Sequence, residues 1–185
     1  MDKAEVNEES IRTIRHVRQI RQYLPRPVPE ELINELLEIA RWTGSSRNGQ
    51  PWHFIVITDK EQLAKIGALR DRINWVSEVP MAIAIVLHGE SAIGDAFDEG
   101  RVTERLLIAA KSLGLGGGTA WFGEESHQAE AKAFLGIPAE MTARSVITIG
   151  YPLTTKDHRA NPTPGGRKPL SEIVSYDRYG QAGSK

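Results

Sequence analysis

The chain has 185 residues, 40% of them hydrophobic, and a formal net charge of −1 at pH 7. That length provides one substantial core and is short for two, so we expect a single domain. The near-neutral charge gives no general reason to expect nucleic acid or an anionic membrane as a partner. The sequence contains no cysteine, which excludes disulfides, thiolate metal sites and a cysteine nucleophile, and we expect a cytoplasmic protein.

Residues 1–10 are polar and acidic, unlike a secretory signal, and we expect them to form a disordered or polar extension. The remainder, residues 11–185, is predicted to form the domain. It contains no apolar run of 18 residues, so no membrane-spanning segment is expected.

Two helices are predicted ahead of residue 44. In the first, apolar residues recur at helical spacing from Ile11 to Tyr23, and Pro25 would end it. Arginine occurs at every third position of this helix, at Arg12, Arg15, Arg18 and Arg21. Such spacing spreads the side chains over half the helix circumference, so not all four can face one ligand. Arg18 and Arg21, one turn apart near the helix end, could clamp one phosphate group. The alternative is a solvated basic face.

A polar loop, residues 44–51, is predicted between the second helix and a strand at residues 54–58. Gly44 can end the helix, and Pro51 keeps the chain extended beside it. The hydrogen-bonding side chains of the loop are Ser45, Ser46, Arg47, Asn48 and Gln50. We interpret it as a ligand-holding loop, with a polar surface turn as the alternative.

Further helices are predicted at residues 60–69, 95–113 and 128–135, and further strands at residues 80–87 and 145–151. The continuous apolar run at 80–87 is typical of a buried central strand. The glycine-rich run at 114–118 is predicted to end the long helix and turn the chain, ahead of a possible short strand at 119–123. Strands and helices do not alternate strictly, so the sequence predicts an α+β fold.

Several chemistries are not favoured. The glycine-rich run follows a helix, whereas a dinucleotide-binding fingerprint follows a strand. The histidines lack metal-ligand spacing, so no metal is predicted, and Ser45 and Ser46 lack the glycine elbow of a hydrolase nucleophile. Two basic pairs, Arg18 with Arg21 and the pair at 167–168, together with the polar loop favour a phosphate-bearing cofactor instead.

A series of motifs resembles the FMN-dependent nitroreductase family. They are RQIRQY at residues 18–23, GSSRNGQPW at 44–52, LGLG at 113–116, GYP at 150–152 and RKPL at 167–170. The resemblance covers about residues 11–179, and the polar loop is its most specific part. It implies an α+β sandwich with a mostly antiparallel central sheet flanked by helices, forming an intertwined homodimer with one FMN in each of two interface clefts.

The resemblance also implies which residues hold FMN. Arg18, Gln19 and Arg21 would bind its phosphate and ribityl region, joined by Arg167 and Lys168 from the tail. Around the flavin ring, the implied residues are Ser45, Ser46 and Asn48 from the other subunit and Ala120, Trp121 and Phe122 on the far side. The tail, about residues 152–185, would pack on the partner subunit.

In such a protein FMN would take hydride from NADH or NADPH and pass the electrons to a nitroaromatic, quinone or similar small acceptor in ping-pong turnover. No side chain is assigned an obligatory acid or base role. The alternatives are an FMN-dependent dehydrogenase, dehalogenase or flavin-processing enzyme of the same family, and a flavin-binding protein without turnover.

Some positions depart from the common family pattern. Gln19 stands where many relatives have Ser, and Gly44 where many have Pro. On the predicted interface helix, Arg101, Glu104 and Arg105 replace small residues and Asn. The chain is also short for the family, which leaves little room for the extra helices that shape substrate pockets in longer members.

Overall fold

The computed structural model describes residues 7–153 and 167–181. The chain divides into two compact units, residues 1–155 and 156–185. The helices of the first unit are α1 (Glu8–Arg15), α2 (Glu30–Arg41), α3 (Lys60–Ala68), α4 (Ala92–Ser112) and α5 (Glu125–Leu135), with 3-10 turns at Ser46–Asn48 and Asp71–Glu78. In the second unit, the described residues contain one short helix, α6 (Leu170–Ile173).

One four-stranded sheet lies at the centre of the first unit. Its strands are β1 (Trp52–Ile57), β2 (Met81–Leu87), β3 (Gly116–Trp121) and β4 (Ser145–Gly150). Their order is β1-β2-β4-β3, and every neighbouring pair is antiparallel. β2 is buried throughout and lies inside the sheet, as its apolar run predicts. The predicted α+β class with a mostly antiparallel sheet is therefore confirmed.

Two apolar cores cover the two faces of the sheet. Successive side chains of a strand point to opposite faces, and β2 supplies both cores in alternation. Ala82, Ala84 and Val86 pack with α3, α5 and the Asp71–Glu78 turn. Met81, Ile83, Ile85 and Leu87 pack with α2 and α4. The loops of the first unit that are described below are attached to the strands of this sheet.

The helix predicted from Ile11 to Tyr23 is wrong in its second half. α1 begins at Glu8, within the stretch predicted as a polar extension, and ends at Arg15. Residues 17–24, here called the edge segment, are extended instead. The backbone N–H of Ile20 donates to the carbonyl of Gly117 at 2.9 Å, and that of Leu24 to the carbonyl of Tyr151 at 2.8 Å. These tertiary hydrogen bonds outweigh the modest helix propensity of the sequence.

The glycine-rich run also differs from its prediction. β3 begins at Gly116, so three of the glycines lie inside a strand, and the turn after α4 is confined to Leu113 and Gly114, the latter with φ 74°. The other predicted strands and helices are present, with bounds shifted by a few residues. The glycines of β3 therefore have a packing role, which the edge segment explains.

Candidate cofactor site

The edge segment is held against β3, the outer strand of the sheet. The side-chain amide of Gln19 makes two hydrogen bonds with the backbone of Thr119. Its Nε2 donates to the Thr119 carbonyl at 2.8 Å, and its Oε1 accepts from the Thr119 N–H at 2.9 Å. Gln19 also forms a parallel bridge with Gly117. The amide that was predicted to contact FMN anchors the segment to β3 in this structure, and its predicted contact with FMN stays a prediction.

The close approach of the edge segment requires glycine in β3. The carbonyl oxygen of Ile20 occupies the space where a Cβ of residue 118 would lie, so any side chain at Gly118 would overlap with backbone. A Cβ on Gly116 would lie 2.9 Å from the Ile20 side chain. Contacts below 3 Å force a displacement of the neighbour, so these glycines allow the segment to lie directly on the strand.

Arg18 and Arg21 lie on this extended segment, and not one turn apart on a helix as predicted. Arg18 is partly buried, and its Nη1 donates to the carbonyls of Arg15 and Val17 at 2.8 and 2.7 Å. Arg21 is exposed and stacks on the ring of Trp75, with 5.8 Å between its Cζ and the ring centroid. Neither guanidinium forms an ion pair with a carboxylate of the described residues. Both retain free donors, the arrangement that an anionic phosphate requires.

The polar loop joins α2 to β1 and has an unusual backbone. Arg47, Asn48 and Gln50 have φ of 51°, 56° and 47°, a left-handed conformation that residues other than glycine rarely adopt. The Ser45 hydroxyl accepts a hydrogen bond from the Gln50 N–H at 2.8 Å and so closes the loop. Ser46 and Asn48 are exposed. Local strain of this kind is concentrated at ligand-binding positions, in agreement with a ligand-holding loop.

Two departures from the family pattern contact each other at the start of this loop. A Cβ on Gly44 would lie 2.7 Å from Nη2 of Arg101, so the arginine occupies space that a larger residue at position 44 would need. Nearby, Nη1 of Arg105 donates to the carbonyl of Trp42. The glycine is thus complementary to Arg101, and Arg105 attaches Trp42, two residues before the loop, to α4.

Within one copy, the polar loop and the edge segment lie at opposite edges of the sheet. The loop leads into β1, while the edge segment lies on β3, and β2 and β4 lie between these strands. Three strand spacings separate β1 from β3, a distance of about 14 Å. No hydrogen bond of the described residues joins the two elements. The structure therefore places Arg18, Gln19 and Arg21 on one segment, and Ser45, Ser46 and Asn48 on another, as two separate groups.

The three residues predicted to line the far side of the flavin differ in exposure. Ala120 and Phe122 are fully buried in the core that contains α3 and α5, whereas Trp121 is 53% exposed. Arg70, which the sequence did not indicate, lies over the Trp121 ring with its Cζ 5.1 Å from the centroid. Only Trp121 can present its side chain to a ligand, and Ala120 and Phe122 can contribute no more than backbone.

Arg167 and Lys168 precede α6 in the second unit and are exposed. Their predicted role at the phosphate stays a prediction. Within residues 7–153 and 167–181, no group of three His, Asp or Glu residues could hold a metal ion. No described helix has the length and apolar character needed to cross a membrane.

Comparison with known proteins places this geometry in a family. The model of the nitroreductase family matches residues 14–96. A protein of Archaeoglobus fulgidus with the provisional name NADH dehydrogenase/NAD(P)H nitroreductase is 34% identical over 160 residues, which cover 81% of this chain and 89% of that protein. An FMN reductase [NAD(P)H] of Bacillus subtilis is 28% identical, over 78% of this chain and 66% of its own length. The chain belongs to the nitroreductase family.

A solved structure supports the same assignment. A provisionally named nitroreductase of Desulfovibrio desulfuricans, in complex with FMN, superposes with a TM-score of 0.79 at 25% identity. The match covers 94% of this chain and 99% of that one. The predicted family and the nitroreductase fold are thus confirmed.

Proposed function

We propose that this protein is an FMN-dependent oxidoreductase that transfers electrons from NADH or NADPH to nitroaromatic, quinone or similar small acceptors. The observation that carries the proposal is the pair Arg18 and Arg21, held on the sheet without a carboxylate partner among the described residues. Family membership and the FMN-bound relative support it. The names of the relatives agree on NAD(P)H as the electron donor.

The residues present fit FMN. Two guanidinium groups suit a phosphate, since charge-assisted hydrogen bonds to phosphate are the strong ones. The exposed indole of Trp121 provides a flat apolar surface of the kind that stacks on aromatic rings. When bound, FMN supplies hydride acceptance from NAD(P)H and electron donation to a second substrate, which is the basis of ping-pong turnover. The protein's own part is to bind and orient.

We further propose that each FMN site is built by two copies of the chain. The edge segment would come from one copy and the polar loop from the other, because one copy keeps them at opposite edges of the sheet. Ser45, Ser46 and Asn48 would then approach the ring, and the tail with Arg167 and Lys168 would pack on the partner. In this arrangement, the residues of the edge segment and those of the polar loop would meet in the same site, although they come from different copies.

The outer surface of α2 and α4 supports the homodimer. Phe97 and Ile93 on α4 are 69% and 85% exposed, and a groove of about 910 Å³ runs between α4 and the end of α2. Arg101 and Glu104 line it together. In a two-fold interface the same patch meets itself, so opposite charges on one face can pair across the axis. A second copy of this chain is therefore the occupant that we propose for this face.

An absorbance spectrum tests the proposed function. The purified protein is mixed with FMN, freed of unbound cofactor, and scanned before and after anaerobic addition of NADH and then NADPH. We expect retained flavin bands that bleach with at least one nicotinamide and recover on addition of a nitroaromatic or quinone. Bands that persist would contradict the reductase and favour a flavin-binding protein or another FMN enzyme. A protein that takes up no FMN would contradict the proposal entirely.

A further inference from the structure

Two hydroxyl groups lie beneath the edge segment. The Oη of Tyr23, at the end of the segment, is 2.7 Å from Oγ1 of Thr148 on β4 and 2.9 Å from the carbonyl oxygen of Ile20. Thr148 is fully buried, and its Oγ1 also lies 3.1 Å from the carbonyl of Gly118. Either hydroxyl can be the donor in the Tyr23–Thr148 contact, and when Thr148 donates there, the Tyr23 hydroxyl donates to the carbonyl of Ile20. The contact thus links the inner strand β4 to the backbone of the edge segment.

This contact fixes the part of the segment that carries the cations. Tyr23 and Ile20 are three residues apart, so the hydrogen bond between them closes a short loop that contains Arg21. On the other side of Ile20, its N–H is bound to Gly117 and the neighbouring Gln19 is bound to Thr119. Both polar groups of the Ile20 backbone are therefore held, one by β3 and one by Tyr23.

The hydroxyl of Tyr23 is not needed to fill space. The surrounding cluster is apolar, with Tyr23 packed on its border, and a phenylalanine would fill the same volume. A buried hydroxyl is retained at low cost only when it is hydrogen-bonded. The pair therefore orders a particular backbone arrangement in addition to filling space, as satisfied buried polar groups do.

We propose that Tyr23 and Thr148 are positioning residues for the phosphate of FMN, acting through Ile20 to hold Arg18 and Arg21 in place. The proposal rests on the proposed function, since it assumes that these arginines bind the phosphate. It distinguishes recognition of the phosphate from recognition of the flavin ring. Loss of the hydroxyl pair weakens recognition of the phosphate and leaves recognition of the flavin ring intact.

Riboflavin, which has the same ring system and no phosphate, makes this claim measurable. Dissociation constants for FMN and riboflavin are determined by fluorescence titration of apoprotein, for the wild type and for Tyr23→Phe and Thr148→Val. We expect the FMN constant to rise about fivefold to tenfold in each variant, because a net hydrogen bond contributes on the order of 1 kcal/mol. The riboflavin constant should change less than about twofold. A purely structural role would raise both constants together.

Two further variants serve as controls. Thr148→Ser keeps the hydroxyl and should retain the wild-type ratio of the two constants. Tyr151→Phe removes a tyrosine hydroxyl that has no hydrogen-bond partner in the described part of the chain, and it should leave the ratio unchanged. If Tyr23→Phe does not fold by circular dichroism, the comparison of Thr148→Val with Thr148→Ser decides the question.

The outcomes separate this inference from the proposed function. A wild-type protein that binds neither flavin overturns both. A wild type that binds FMN more tightly than riboflavin, with the same preference in Tyr23→Phe and Thr148→Val, overturns the positioning role alone. A preference that falls in both variants and is kept in Thr148→Ser supports it.

Discussion

The carbonyl oxygen of Ile20 lies against Gly118 so closely that the space for a Cβ at position 118 is filled by backbone. This contact sets how near the edge segment comes to the sheet. It also explains why residue 118 is glycine in a strand, where the lack of a side chain would otherwise weaken packing.

Gly118→Ala should displace the edge segment and destabilise the fold by about 1–3 kcal/mol, the usual cost of inserting a methyl group where none fits. Chemical denaturation monitored by circular dichroism measures the change. Gly100→Ala is the matched control, because no atom of the same copy lies within 4 Å of a Cβ there. Since Gly100 lines the groove proposed to meet a second copy, both variants are compared at several protein concentrations. As a glycine-to-alanine change inside α4, Gly100→Ala should stabilise by about 0.5–1 kcal/mol. Equal effects at the two positions would mean that the close contact is unimportant.

Arg21→Ala should weaken FMN binding about tenfold to a hundredfold, since a hydrogen bond to a charged group contributes roughly 1.5–3 kcal/mol. Titration with FMN and riboflavin measures this, and the riboflavin constant should stay near the wild-type value. Arg26→Ala removes another arginine close by, one that stacks on Tyr151 at 4.1 Å from the ring centroid. If Arg26→Ala loses as much FMN affinity as Arg21→Ala, general charge and not this site explains the binding.

The stability of the fold should fall in strong alkali because of Tyr23. Burial raises the pKa of the Tyr23 hydroxyl, and the hydrogen bond with Thr148 offsets part of that rise. A pKa that is higher in the folded than in the unfolded state gives a contribution that is complete below the unfolded value, about pH 10. That contribution is lost as the pH rises through the folded pKa. Unfolding free energies measured from pH 9 upward should decline more steeply in the wild type than in Tyr23→Phe; parallel curves would refute this.

A partly buried ion pair, in which the carboxylate is the buried partner, joins α4 to the start of β4. Arg144 Nη1 is 3.2 Å from Oε2 of Glu99, whose Oε1 accepts from the Ser145 hydroxyl at 2.6 Å. Arg144→Met should destabilise by about 3 kcal/mol, because it leaves a buried carboxylate without its cation. Lys65→Met breaks the exposed pair with Glu61 and should change stability by less than about 1 kcal/mol. Thermal unfolding of both variants measures the difference, and similar losses would contradict the role of burial.

Much of the fold could be predicted because the signals are local. The apolar run of β2 and the β-branched residues of β4 are strand signals that lie within the segments themselves. The extended conformation of the edge segment could not be predicted, because Ile11, Ile14 and Val17 recur at helical spacing. Residues 17–24 are extended because of their contacts in the folded chain, chiefly with β3. A run of glycines in β3 was the available signal for that contact, and its position after a helix suggested a turn instead.

For the candidate site, too, the sequence could predict only the residues that are marked by a local signal. The polar loop was recognisable because Asn48 and its neighbours combine turn formers with hydrogen-bonding groups in one stretch of sequence. Tyr23 and Thr148 are 125 positions apart and meet only in the folded chain. Arg70 was missed for the same reason, because nothing near it in sequence indicates Trp121. Partners of this kind require tertiary structure to be found.

The claim that two copies build each site is tested most directly by complementation. Arg21→Ala damages the edge segment, and Asn48→Gly removes a loop side chain while allowing the left-handed backbone found there. Each variant alone should bind FMN weakly. When equal amounts are unfolded and refolded together, half of the dimers should be mixed, with one intact site each, so about a quarter of all sites should regain wild-type affinity. Mixed dimers, verified by differently tagged chains, that regain no tight site would contradict the account, as would a monomer that binds FMN with full affinity.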